Sequence, residues 1–141
     1  MTASNDASRG AHDQILPPDP FDTAGLPRGA RLDPTWEIGP REVKRRLEGG
    51  DDVVLLDVRT AQELALARIE GAVHAPVQTL AASLPALLEH EARTVVVFCH
   101  HGRRSLQATI FLREQGFADV RSMAGGIDLW SQSVDRAVAR Y

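Results

Sequence analysis

Thr94-Val95-Val96-Val97-Phe98-Cys99-His100-His101-Gly102-Arg103-Arg104-Ser105 is the passage from which the architecture follows. Its first five residues are β-branched or aromatic, the side chains that suit a buried strand. Gly102 then permits a tight backbone bend, and a helix is expected to start by Ser105 with Leu106, Ile110 and Phe111 on its inner face. A strand that runs straight into a helix belongs to a sheet whose next parallel strand is reached by a helical crossover.

The flanking sequence repeats that unit. Upstream, Val53-Val54-Leu55-Leu56-Asp57-Val58 is a continuous apolar run of the kind found in strands covered on both faces. Thr60-Ala61-Gln62-Glu63 reads as a capping box, so a helix follows at once. Gly39-Pro40 opens an earlier helix with Val43 and Leu47 on one face, and Gly49-Gly50 ends it. Ala72 to Val77 is expected to form a short strand, followed by a Leu- and Ala-rich helical stretch to His90. Beyond the central unit Gly116 closes a helix, Ala118 to Met123 reads as a last strand, and Gly125-Gly126 turns into a helix holding Trp130. Alternating strands and helices predict an α/β domain with a parallel sheet flanked by helices. Residues 1–34 contain Pro17, Pro18, Pro20, Pro27 and Pro34 with Gly25 and Gly29, and show no sustained periodicity. They are expected to be an N-terminal tail, either a flexible extension or an arm lying on the domain, with the folded domain at 35–141.

Composition narrows the function classes. The 141 residues are 43% hydrophobic and 25% charged, ordinary values for one globular domain. A formal charge of −3 gives no general reason to bind nucleic acid, where affinity comes from neutralising phosphates. No run approaches the ~20 apolar residues that cross a bilayer, and Met1 to Gln14 lacks the apolar core of a secretory signal. The single cysteine cannot form an internal disulfide, which suits a reducing compartment; a cytoplasmic location is expected, with no nucleic-acid and no membrane partner.

Cys99 stands where ligands bind in such sheets, beyond the carboxyl end of a strand. Backbone N–H groups in the turn after it are expected to form an anion-binding concavity. The following helix adds its positive N-terminus, and Arg103 and Arg104 add full charges. These are the surroundings that favour a thiolate, the reactive form of cysteine. A lone cysteine after a buried strand is by default an inert apolar side chain; two arginines, a turn glycine and a helix start immediately downstream argue for a nucleophile instead. His100 and His101 are expected to line the pocket or modulate its charge. They do not read as metal ligands, because adjacent residues on one tight loop rarely converge on one ion and no second cluster completes a site. Neither a metal nor a cofactor is expected.

Leu56-Asp57-Val58-Arg59, Arg68-Ile69-Glu70-Gly71-Ala72, the loop Cys99 to Ser105, and Ala124-Gly125-Gly126-Ile127 with Trp130 together resemble the rhodanese family of sulfurtransferases. The matches come in the right order and span residues 36 to about 131. The resemblance implies a three-layer fold with a central, mainly parallel five-stranded sheet. It implies that Cys99 takes a sulfane sulfur from a small anionic donor such as thiosulfate, carries it as a persulfide, and passes it to cyanide or a cellular thiol. His100, His101, Gly102, Arg103, Arg104 and Ser105 then form the substrate loop, and Asp57, Arg59 and Glu63 support it, with Glu63 expected to pair with Arg59. Ala67-Arg68 departs from the Gly-His that many relatives carry there. The stretch from Trp130 through Val134-Asp135 to Tyr141 is similar to the C-termini of rhodanese domains fused to adenylyltransferases, which implies a sulfur-relay partner.

Two competing readings differ in class. Dual-specificity phosphatases related to this fold use cysteine, five residues, then arginine; here the sixth position after Cys99 is Ser105, with arginine one place earlier at Arg104. The shorter loop suits a sulfur substituent better than a phosphate. A non-catalytic regulatory domain is opposed by the intact cysteine.

Overall fold

The computed structural model describes residues 17–141. Five strands and five helices alternate: β1 (Glu37–Ile38), α1 (Pro40–Glu48), β2 (Val53–Asp57), α2 (Ala61–Leu66), β3 (Val73–His74), α3 (Leu80–Leu87), β4 (Thr94–Phe98), α4 (Arg103–Glu114), β5 (Asp119–Met123) and α5 (Gly126–Ser133). All pairings within the sheet are parallel and the strand order is β1-β5-β4-β2-β3. β4 and β2 lie in the middle, in register from Val53 beside Thr94 to Asp57 beside Phe98.

The apolar runs of β2 and β4 face two cores, as the period of two along a strand requires. Val54, Leu56, Val95, Val97 and Cys99 pack under α3 and α4 with Leu80, Leu87, Ala108 and Leu112. Leu55, Val96 and Phe98 pack on the other face with Val43 of α1 and Ile127 and Trp130 of α5. Thr60 and Glu63 form the expected capping box at the start of α2.

Three details differ from the sequence reading. β1 has two residues, too few for any periodicity to reveal. The strand expected at Ala72 to Val77 is confined to Val73–His74, since a 3₁₀ turn begins at Val77. On α4, Leu106 and Ile110 are 36% and 41% exposed, and Phe111 is half-buried; the core face is instead Ser105, Ala108, Thr109 and Leu112. Ser105 faces the Cys99 sulfur, and the small Ala108 and Thr109 let the helix approach the sheet, so α4 is rolled by about one residue from the expected orientation.

Residues 17–34 lie against the domain, and residues 1–16 of the expected tail lie outside the described residues. Leu26 is buried with Ala124 and Leu129, and Phe21, Ala24 and Leu32 pack around them. Arg41 of α1 fastens the arm through an ion pair with Asp19 at 2.9 Å and a hydrogen bond to the Asp22 carbonyl at 2.9 Å.

Candidate active site

Cys99 continues the alternation of Val95 and Val97, so its side chain turns toward α4. The sulfur is buried, with the residue 1% exposed. The Gly102 N–H donates to Sγ at 3.1 Å and the Ser105 N–H at 3.4 Å. The Cys99 thiol in turn donates to Ser105 Oγ at 3.4 Å. Gly102 has φ of 111°, a left-handed conformation that side chains rarely adopt, and α4 starts at the next residue. The sulfur therefore sits against the first turn of a helix, with two backbone dipoles aimed at it.

Those dipoles point inward because the carbonyls are pinned outward. The Ile127 N–H donates to the Cys99 carbonyl at 2.8 Å and the Asp128 N–H to the His100 carbonyl at 3.1 Å. The first turn of α5 thus satisfies the loop's acceptors. Gly126 makes this approach feasible: a Cβ there would lie 2.5 Å from the Cys99 carbonyl oxygen and 2.4 Å from that of His100.

The two arginines do not converge on the sulfur. Arg104 turns to Glu63, its Nη2 donating to Oε2 at 2.9 Å, with a second close bond from Nη1 to Oε1. The Arg104 guanidinium holds the Glu63 carboxyl well below the usual carboxylate range, and Glu63 holds Arg104 above its ordinary value. This corrects the expectation that the Glu63 carboxylate pairs with Arg59, which reaches only the Glu63 backbone carbonyl, at 3.2 Å. Arg103 is exposed and makes no ion pair among the described residues.

The rings of His100 and His101 lie against each other with centroids 3.9 Å apart, tilted by 32°. His100 also stacks on the ring of Tyr141, with centroids 4.0 Å apart at 9°. Its Nε2 is buried without a partner among the described residues, and burial, helped by His101, pushes its pKa down. His101 lies at the surface 3.8 Å from Asp128, which also accepts from Arg140 Nε at 2.9 Å. Among the described residues no three His, Cys, Asp or Glu side chains are placed to hold a metal ion.

Beside this loop, Asp57 and Arg59 are wholly buried rather than at the surface. Arg59 Nε donates to Asp57 Oδ1 at 3.0 Å and Nη2 to Oδ2 at 2.7 Å. The guanidinium also donates to the Ala67 carbonyl at 2.7 Å and the Tyr141 hydroxyl at 3.0 Å. Arg59 thereby ties the end of β2 to the carbonyls of Glu63 in α2 and of Ala67, the residue that ends that helix.

Sequence reasoning missed three participants. Tyr141 donates to Glu63 Oε2 at 2.7 Å, and burial pushes its own pKa up to about 12. His74 Nε2 lies 2.7 Å from the Arg59 carbonyl. Ser122 of β5 meets Ser105, Oγ to Oγ, at 2.7 Å. Only Ser122 left a signal: two residues after Val120, it puts a hydroxyl where the strand's alternation requires an apolar side chain.

A strand, a turn whose N–H groups face the Cys99 sulfur and a helix built in this order, on a five-stranded parallel sheet, define the class. The rhodanese-like domain family model matches residues 39–133, and the chain belongs to that family. A sulfurtransferase of Allochromatium vinosum is 33% identical over 96 residues, covering 68% of this chain and 88% of that protein. The thiosulfate sulfurtransferase GlpE of Pseudomonas aeruginosa is 38% identical over 93 residues, 66% of this chain and 81% of the relative. The adenylyltransferase and sulfurtransferase MOCS3-2 of Zea mays is 36% identical over 115 residues, 78% of this chain; the chain spans only 23% of that protein's length. Among solved structures, the human single-domain sulfurtransferase TSTD1 matches with a TM-score of 0.59 at 32% identity, covering 72% of this chain and 97% of that one. No helix among the described residues is long and apolar enough to cross a membrane.

Proposed function

We propose that this protein is a sulfurtransferase in which Cys99 carries the transferred sulfur. The observation that supports it best is the buried Cys99 sulfur facing the N–H groups of Gly102 and Ser105 at the start of α4. That arrangement favours a negative sulfur without fixing a counter-ion over it. With thiosulfate as donor, the Cys99 thiolate attacks the outer sulfur. A bond forms from Sγ to that sulfur, the donor's S–S bond breaks, and sulfite leaves with the electron pair. The persulfide anion that remains is attacked at its outer sulfur by cyanide or a thiolate, and the Sγ–S electron pair returns to Cys99.

In this reading Gly102 and Ser105 supply donors, His100 and His101 wall the loop, and Arg103 draws anions to its mouth. Arg104, Glu63, Asp57 and Arg59 hold the loop in shape. The chemistry requires neither metal nor cofactor. The test is the intact mass of the protein after exposure to thiosulfate. One added sulfur, absent in Cys99→Ser, is expected; no addition to a folded wild-type protein would remove the reading.

A second, compatible reading concerns the acceptor. The likeness to a maize protein named as both adenylyltransferase and sulfurtransferase, over 78% of this chain, supports a protein acceptor in a sulfur relay.

A further inference from the structure

The buried hydroxyls behind Cys99 raise a question of hydrogen inventory. Cys99, just past β4, meets Ser105 of α4 and Ser122 of β5 in a region closed to solvent, with Ser105 and Ser122 at 0% and 1% exposure. A buried hydroxyl is costly unless it is hydrogen-bonded, and among the described residues Ser122 Oγ has one side-chain partner, Ser105 Oγ. Ser105 Oγ carries one hydrogen and has three acceptors near it. These are Ser122 Oγ at 2.7 Å, the Gly102 carbonyl at 3.1 Å and Cys99 Sγ at 3.4 Å. The Gly102 carbonyl already accepts the Leu106 N–H at 3.2 Å.

With Cys99 protonated, the thiol donates to Ser105 Oγ and the Ser105 hydrogen goes to Gly102 or Ser122. With Cys99 ionised that donation is gone, and the sulfur gains from receiving a hydrogen instead. Ser105 can turn its hydrogen to Sγ, and its oxygen is then left as an acceptor that Ser122 alone among the neighbouring hydroxyls can serve. We propose that Ser122 is a positioning residue for sulfur transfer, donating to Ser105 whenever Sγ is negative so that the Ser105 hydroxyl faces the sulfur. The inference rests on the sulfurtransferase reading.

It has an asymmetric kinetic signature. Sγ is the nucleophile when sulfur is loaded and the leaving group when sulfur is handed on. A thiolate stripped of a donor is less populated but more nucleophilic, and these two effects partly cancel during loading. As a leaving group it is simply poorer. Ser122→Ala is therefore expected to slow single-turnover transfer from the loaded enzyme to cyanide about fivefold, and loading from thiosulfate less than about twofold. Ser122→Thr, which keeps the hydroxyl, should restore the rate. In a Ser105→Ala background, Ser122→Ala should have no further effect. If alanine disrupts folding, Ser122→Val against Ser122→Thr asks the same question with side chains of equal shape. Equal slowing of both half-reactions, failure of threonine to restore, or an undiminished effect without Ser105 would each overturn the proposal. If the wild type takes up no sulfur, the sulfurtransferase reading falls. The hydrogen-bond chain is then read from the pH midpoint of iodoacetamide alkylation of Cys99, which reports the thiolate population alone: a midpoint moved upward in Ser122→Ala and restored in Ser122→Thr supports it, and an unchanged midpoint overturns it.

Discussion

The carboxyl ends of β2 and β4 lie side by side, with Asp57 opposite Phe98, and they are finished in opposite ways. At the end of β2 two full charges are buried against each other, and the Arg59 guanidinium has an acceptor at each of its three nitrogens. At the end of β4 the hydrogen-bond partners of the sulfur among the described residues are all uncharged. Backbone N–H groups face it, and the Arg104 guanidinium is turned to Glu63. Permanent charges here act as fasteners. The charge that comes and goes in the proposed reaction is met by dipoles, held in place by the starts of α4 and α5. Such preorganised donors need no reorganisation when charge develops.

This contrast makes Cys99 and Arg59 opposite kinds of residue. Cys99→Ser is expected to abolish sulfur transfer to the limit of detection while the melting temperature changes little, because serine fits the same space. Appreciable turnover by that variant would mean the end of β4 is not where the chemistry happens.

Arg59→Leu should do the reverse. It leaves Asp57 buried without its partner, a change that typically destabilises by about 3–5 kcal/mol. Denaturant unfolding measures it, and a loss below about 1 kcal/mol would show that the β2 end is not the fastener described. The double variant Asp57→Leu with Arg59→Leu should recover much of the loss, because the cost comes mainly from the orphaned charge.

Gly126→Ala probes whether α5 holds the loop's dipoles in aim. The added Cβ would meet the carbonyl oxygens of Cys99 and His100 at 2.5 and 2.4 Å, so the loop or the helix must move. A shift of ~1 Å at a reacting group can lower a rate about a hundredfold. Loss of that order in sulfur transfer, in a protein that still folds, is expected; a rate within a few-fold of wild type would mean the loop keeps its shape without α5.

The smallest effect belongs to the rim. Glu63 is held well below the usual carboxylate range, first by Arg104 and then by Tyr141. The folded state therefore binds fewer protons there than the unfolded chain, whose glutamate titrates near ~4.3. The stabilisation is complete above that pH and is lost as the pH falls below it toward the lower folded value. In Glu63→Gln the acid limb of the stability profile should flatten by up to about 1 kcal/mol, the range of partly exposed pairs. An unchanged limb would show that the rim pair contributes nothing to folding.

The strand runs, the capping box at Thr60 and the glycines bounding the helices were all legible along the chain, because each follows from neighbours a few residues apart. Cys99 as the candidate nucleophile was legible for the same reason: strand, turn glycine and helix start are contiguous. The partner of Glu63 was not, since Arg104 lies 41 residues on and Tyr141 78, and nothing local distinguishes them from Arg59. The face of α4 was misjudged because hydrophobicity favours burying Leu106 and Ile110, whereas contact with the sulfur and a close approach to the sheet place Ser105, Ala108 and Thr109 inward. The sequence by itself determined the order of elements and where a thiol meets a helix start. Which charges are buried, which carbonyls α5 takes up and which hydroxyl stands behind the sulfur depended on three-dimensional packing, because those bonds join segments that only the folded sheet brings into hydrogen-bonding reach of one another.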